Sequence, residues 1–154
     1  VDAFINNEKE MFRVRSCGII LKNESVLMVS NNKDDYLYSV GGAVEVGENL
    51  EDACQREVYE ETGFHYEIDR LVFIHENFFK WGKKPFHEIA FYFLMKPNKY
   101  EKFTKKSTNM TGGVEEMVWI PLSEYHLHKA YPAFFKDELK NIPHQVKHIV
   151  TYED

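Results

Sequence analysis

Apolar and β-branched residues crowd Phe12–Lys22, the polar break Asn23-Glu24-Ser25 follows, and Val26–Ser30 is apolar again. That pattern predicts two strands joined as a hairpin. Tyr36–Val40 reads as a further short strand, halted at Gly41-Gly42. From Asn49 to Thr62 the period changes to that of a helix: Asn49 can cap the N-terminus, acids fill the first turn, and Gly63 stands at the C′ position. Tyr66–Lys80 and Phe86–Met95 predict two long strands joined across Gly82-Lys83-Lys84-Pro85, and Met117–Ile120 a short one. Pro121 and Ser123 suit a brief helical turn, Tyr131–Asn141 a late helix, and Val146–Tyr152 a final strand. Strands mixed with two or three helices, without regular alternation, predict an α+β domain built in layers around a mixed sheet.

Composition narrows this reading. The 154 residues, 44% hydrophobic and 15% aromatic, fill one core, so a single domain is expected over residues 1–154. Cys17 and Cys54 are too few for a disulfide framework, which points to a reducing, cytoplasmic compartment. No apolar run approaches the roughly 18 residues of a membrane span. A formal charge of −6 argues against binding long nucleic acid, which requires a basic surface. That charge is concentrated. Glu45 to Glu61 hold seven acids and one base, Arg56, while the rest of the chain carries 18 of each sign.

On the helical period, Leu50, Ala53, Cys54, Glu57, Glu60 and Glu61 share one stripe, with Glu51, Asp52, Gln55, Tyr59 and Thr62 opposite. A glutamate-rich helix is ordinarily a solvated face. Here three glutamates continue the inward stripe at i,i+3 and i,i+4 spacings, where like charges repel. Arg56 alone cannot neutralise three carboxylates. Hard divalent cations can, because they take oxygen ligands and tolerate retained water and phosphate. Gly41-Gly42 and Gly47 form a glycine-bearing loop that feeds the helix N-terminus, a general place for phosphate or carbonyl ligation.

In order, Gly42, five residues, Glu48, seven residues, then Arg56-Glu57-Val58-Tyr59-Glu60-Glu61-Thr62-Gly63-Phe64 resembles the Nudix box over residues 42–64, with every fixed position filled. The likeness extends more loosely over Phe12–Tyr125. Val40 departs from it, standing where many members have proline before the glycines. The resemblance implies the Nudix fold, an α/β/α sandwich around a mixed sheet. It also implies Mg²⁺- or Mn²⁺-dependent hydrolysis of a nucleoside diphosphate linked to another group. Glu57, Glu60 and Glu61 would then hold the metal, with the Gly41 carbonyl as a further ligand. Arg56 would orient the carboxylates, and Glu48 would be a structural partner of the loop. Glu60 or Glu61 is the expected general base, and Glu115 or Glu116 is either a later acid of the site or part of an exposed loop. A non-catalytic nucleotide-sensing domain is the alternative, and an isomerase of the isopentenyl diphosphate type a third; a small nucleotide derivative is the expected partner, and a homodimer is common for this fold.

Beyond the box, Arg13 and Arg15 share one strand face and either grip phosphate or line a solvated surface. Tyr36, Tyr38, Phe78, Phe79 and Trp81 are core residues or base-stacking candidates. His87-Glu88 opens a strand that can reach the site. Seven scattered histidines do not suggest zinc, and Cys17 and Cys54 suit core positions.

Overall fold

A computed structural model describes residues 2–98, 107–108 and 114–153. The chain opens with β1 (Phe4–Asn6), a strand that the sequence pattern does not announce. Next come β2 (Met11–Ile19), β3 (Leu21–Lys22) and β4 (Ser25–Asn31). The expected strand Phe12–Lys22 is therefore divided at Ile20, and the expected hairpin shrinks to β3 against Ser25 and Val26. Asn23 and Glu24 form its turn with φ of 50° and 59°, the left-handed pair that matches the twist of adjoining strands. β2 and β3 belong to different sheets, so the chain crosses from one to the other at Ile20.

Then follow β5 (Leu37–Ser39) and β6 (Gly41–Ala43). The glycine pair does not end the strand region, because β6 pairs antiparallel with Arg15–Cys17. A Cβ on Gly41 would stand 2.7 Å from the Cys17 Cα and the Ser16 carbonyl oxygen, so only glycine brings these backbones so close. Helix α1 (Leu50–Thr62) begins and ends as expected: Asn49 accepts from the Asp52 N–H at 2.8 Å, and the Gly63 N–H donates to the Tyr59 carbonyl at 2.8 Å.

The long hairpin β7 (Ile68–Trp81) and β8 (Lys84–Met95) precedes β9 (Ser107–Thr108) and β10 (Val114–Pro121). Leu122–Leu127 forms the expected brief turn as a 3-10 helix. The late helix is much shorter than Tyr131–Asn141. Tyr131 is taken into β11 (Ala130–Tyr131), which pairs parallel with Leu37 and Tyr38, and α2 keeps only Phe135–Glu138. The final strand is β12 (Lys147–Tyr152).

One sheet runs β1-β2-β8-β7-β12, with β6 also beside β2; the other runs β11-β5-β4-β10-β9, with β3 beside β4. β2 lies parallel to β8, so the sheet is mixed. Alternate residues of β4 serve opposite cores: Leu27 and Val29 meet Cys54 and Val58 of α1, while Val26 and Met28 meet Tyr125, Phe134 and Phe135 of the 3-10 and α2 segment. Helical layers thus cover two sides, the α+β, α/β/α arrangement that the resemblance implies. Among the described residues no helix is long and apolar enough to cross a membrane.

The contact of α1 with β2 rests on Gly18, where a Cβ would lie 2.8 Å from the Val58 Cγ2. Gly18→Ala should therefore cost about 1–3 kcal/mol in chemical denaturation. In a Val58→Ala background the same change should cost clearly less, whereas additive losses would refute the contact as the cause.

Candidate functional site

Helix α1 turns its acids to three different environments. Glu61 is buried at 6% exposure, Glu57 is half-buried, and the Glu60 side chain is 53% exposed. The inward stripe is accordingly centred on Ala53, Cys54, Val58 and Glu61, and Glu60 lies at its outer margin. Thr62, expected on the outer side, is fully buried; its hydroxyl donates to the Val58 carbonyl at 2.7 Å, which satisfies it without solvent.

Arg56 binds the glycine-bearing loop to the helix. Its Nε and Nη2 form a fork on Glu48 at 2.8 and 2.9 Å, and Nη2 also donates to the Ala43 carbonyl at 3.1 Å. Nη1 reaches Glu57 at 2.8 Å and Glu60 at 3.4 Å. Glu48 in turn accepts from the Glu45 N–H at 3.1 Å, and its bonds with Arg56 hold its carboxyl below the usual range. The Glu57 carboxyl lies directly over Gly42, where a Cβ would be 2.3 Å away.

Glu61 is placed by the backbone, accepting from the Gly41 N–H at 2.9 Å through Oε1. Its Oε2 is buried and has no hydrogen-bond partner. Burial, joined by the charges of Glu115 and Glu57, pushes the Glu61 carboxyl well above the ordinary range, against the pull of the Gly41 N–H and Arg15. Burial also raises Glu57, against Arg56. Glu115 and Glu116 do not form an exposed loop: both lie in β10, with Glu115 buried opposite Asn31 and only Glu116 exposed. β10 touches α1, and the Glu115 charge acts on Glu61.

Arg13 and Arg15 do share a face, and the solvated alternative fails for Arg15, whose side chain is only 13% exposed. Both meet Glu88, Arg13 Nε at 2.5 Å and Arg15 Nη1 at 3.6 Å. Burial alone would raise Glu88, but Arg15 and then Arg13 hold it below the usual range. The register Arg13↔Glu88 across β2 and β8 brings the three together, and no sequence pattern reveals that parallel pairing. His87 points to the other face, packed between Phe12 and Phe78 at 5.0 and 4.3 Å. Phe78 also stacks on Tyr152, and Phe79 on Phe86, so these rings serve packing within the sheet. Tyr36 meets Tyr38 and Tyr131, and Trp81 is exposed beside Phe86. Cys17 and Cys54 are core residues, with burial pushing the Cys17 thiol to about 11. His75 carries no motif and is missed by the sequence pattern; it is buried, bonded through Nε2 to Thr151 at 2.8 Å, and lowered by desolvation to about 4.

The arrangement collects oxygen donors of mixed burial around one helix. Among the described residues no three His, Cys, Asp or Glu side chains close on a single point as they stand, since Arg56 draws Glu57 and Glu60 toward itself. Glu61 Oε2 is outside that pull.

Residues 11–140 match the NUDIX domain family. A MutT-like protein of Streptomyces ambofaciens is 31% identical over 65 residues, 42% of this chain and 42% of that protein, so the match spans less than half of the relative's length. The MutT protein of Bacillus halodurans superposes with a TM-score of 0.68 at 16% identity, over 91% of this chain and 89% of that one. The MutT protein of Methanosarcina mazei Go1 gives 0.60 at 22% identity, over 86% and 92%. At these identities the two structures establish the shared fold.

The raised Glu61 carboxyl sets a stability prediction for the metal-free chain. A carboxylate whose folded pKa lies above its unfolded value of about 4.3 favours the fold below that pH, and the contribution is lost as pH rises through the folded value. Glu61→Gln should thus raise the denaturation midpoint at pH 7–8 in chelator, by about 1 kcal/mol or more. The gain should fade below about pH 4. A gain independent of pH would show that the buried charge is not its source.

Proposed function

The chain belongs to the NUDIX domain family, a Nudix hydrolase by that membership, and on this footing we propose that it cleaves a phosphoanhydride bond in a nucleoside diphosphate linked to another group, with Mg²⁺ or Mn²⁺ as cofactor. The observation that carries the reading is the buried, unpartnered Oε2 of Glu61, which also feels the charges of Glu115 and Glu57. A hard cation satisfies that oxygen and offsets the clustered charge, so the donor set fits the ion in chemistry and in sign. Glu57, Glu60 and Glu61 would hold it, with the Gly41 carbonyl as a further donor. The ion supplies neutralisation of the diphosphate and a lowered pKa for water.

The protein's own groups divide the remaining work. Arg56, held on both sides by Glu48 and Ala43, keeps Glu57 and Glu60 in place and is not free to travel to a substrate. Arg13, with a partly exposed side chain beside Glu88, would offer a positive edge to phosphate, and the more enclosed Arg15 would support it from the same strand. Glu60, the most exposed of the three helix acids, would take a proton from water, with Glu61 as the other candidate base. Water adds across the bridge, its oxygen joining one phosphorus as the bridging oxygen leaves with the other. The products are a nucleoside phosphate and a phosphorylated second group.

Purified chain with Mg²⁺ or Mn²⁺ should hydrolyse at least one of the nucleoside triphosphates, nucleotide sugars, ADP-ribose and dinucleoside polyphosphates. Glu60→Gln and Glu61→Gln should each lower kcat by about 10²-fold or more while circular dichroism stays unchanged. Wild-type rates in both variants would overturn the assignment of these acids. Nucleotide binding with no turnover across the whole panel would identify a sensing domain instead.

A further inference from the structure

Three side chains on the sheet face that carries Arg13 and Glu88 form a hydrogen-bonded chain with no part in the hydrolysis described above. His75 meets Thr151 through Nε2 at 2.8 Å, and the Thr151 hydroxyl donates to Asn77 Oδ1 at 2.8 Å. Strand register brings them together. Asn77 of β7 lies opposite Glu88 of β8 and Thr151 of β12, so Arg13, Glu88, Asn77 and Thr151 form one row across the first sheet.

The chain has a direction. A hydroxyl has one hydrogen, and here it goes to Asn77, so Thr151 accepts from the Nε2–H of His75. His75 is buried and neutral, and its Nδ1 is then a bare lone pair, buried and unpartnered. The reverse order would bury an N–H at that position without an acceptor, the costlier orphan. Asn77 therefore has its oxygen engaged and its NH₂ turned away from Thr151. Among the described residues that nitrogen has no partner, and it is not sealed from solvent.

A free carboxamide donates and accepts at once, which is how asparagine takes the amino and ring nitrogens of adenine together. With its oxygen held, Asn77 offers hydrogens only. The next residue of the chain on the same face is Glu153, half-buried, its carboxyl raised by burial and by the charge of Glu88. That carboxyl has no ion pair or hydrogen bond among the described residues. A donor thus stands beside an acceptor, the complement of a carbonyl next to a ring N–H. Guanine and uracil carry that edge, whereas adenine and cytosine place an amino group and a bare ring nitrogen there.

We propose that Asn77 is a specificity-determining residue that donates to a base carbonyl of the substrate while Glu153 accepts the adjacent ring N–H. Thr151 and His75 are positioning residues that hold the Asn77 oxygen away from the base. This rests on the nucleotide reading above and names the base that the reading leaves open. An amino base in the same place sets donor against donor and leaves polar groups unpaired, which costs more than a missing contact.

Isothermal titration with GMP, UMP, AMP and CMP, each with Mg²⁺, tests this without turnover. The wild type should bind GMP and UMP about tenfold or more tighter than AMP and CMP. Asn77→Ala should lower GMP and UMP affinity by that factor and leave AMP and CMP within about twofold. Thr151→Val frees the amide to turn and should bring all of them to within about threefold, while Thr151→Ser keeps the wild-type order. Equal wild-type affinities, no measurable binding of GMP or UMP, or an Asn77→Ala loss shared by every nucleotide would each overturn the proposal. So would a Thr151→Val protein that kept the wild-type order. Selective binding without hydrolysis of any nucleotide would overturn the hydrolase reading alone, and hydrolysis with no base preference in binding would overturn this one alone.

Discussion

The guanidinium of Arg56 is the interaction on which the rest of the site depends. A loop that approaches a helix through Gly41 and Gly42 has little side-chain packing to hold it. The fork on Glu48 and the bond to the Ala43 carbonyl supply that hold from the helix side. The same group takes Glu57 and Glu60 at its third nitrogen. One cation thereby fixes the loop, the helix register against it and two of the three acids. A lysine offers a point charge in place of a planar fork and could not serve these directions together.

Close approach does the remaining positioning. Gly41 lies against Cys17 and Ser16, Gly42 lies beneath the Glu57 carboxyl, and Gly18 admits Val58. Each contact lets α1 settle onto β2 and β6 at a depth where Glu61 reaches the Gly41 amide and loses solvent. The burial that raises the Glu61 carboxyl is thus a consequence of how near the helix lies to the sheet. Stability and chemistry pull against each other at that residue, because the charge disfavours the same packing that the hydrophobic side of α1 drives.

Local chemistry made much of this legible in the sequence. Asn49 and Gly63 bound the helix because capping depends on residues a few positions apart, and the box lies within 23 residues. Pairing between distant segments was not legible. Nothing near Arg13 announces Glu88, which a parallel register 75 positions away delivers. Val114–Pro121 reads as a loop ending in a strand until β4 pairs along its length and carries Glu115 inward. The late helix failed for the same reason: Tyr131 has helical neighbours in sequence but a strand partner, Tyr38, in space.

The two groups of buried carboxylates show how the fold sorts charge. Glu88 lies between two arginines and is kept ionised by them, a complete arrangement that needs no further cation. Glu57 and Glu61 are raised, and the Glu61 Oε2 has no partner. Arg15 acts on both groups, as the foremost charge lowering Glu88 and the last of the named influences on the helix acids. The segment's excess of six negative charges is therefore left open at one place, on the helix, while the rest of the chain is balanced within itself. An apolar substitution at Glu61 would relieve the burial cost with less chemistry, so the carboxylate is a liability for folding alone. Under the proposed function, a cation that binds the folded chain would offset that cost through linkage.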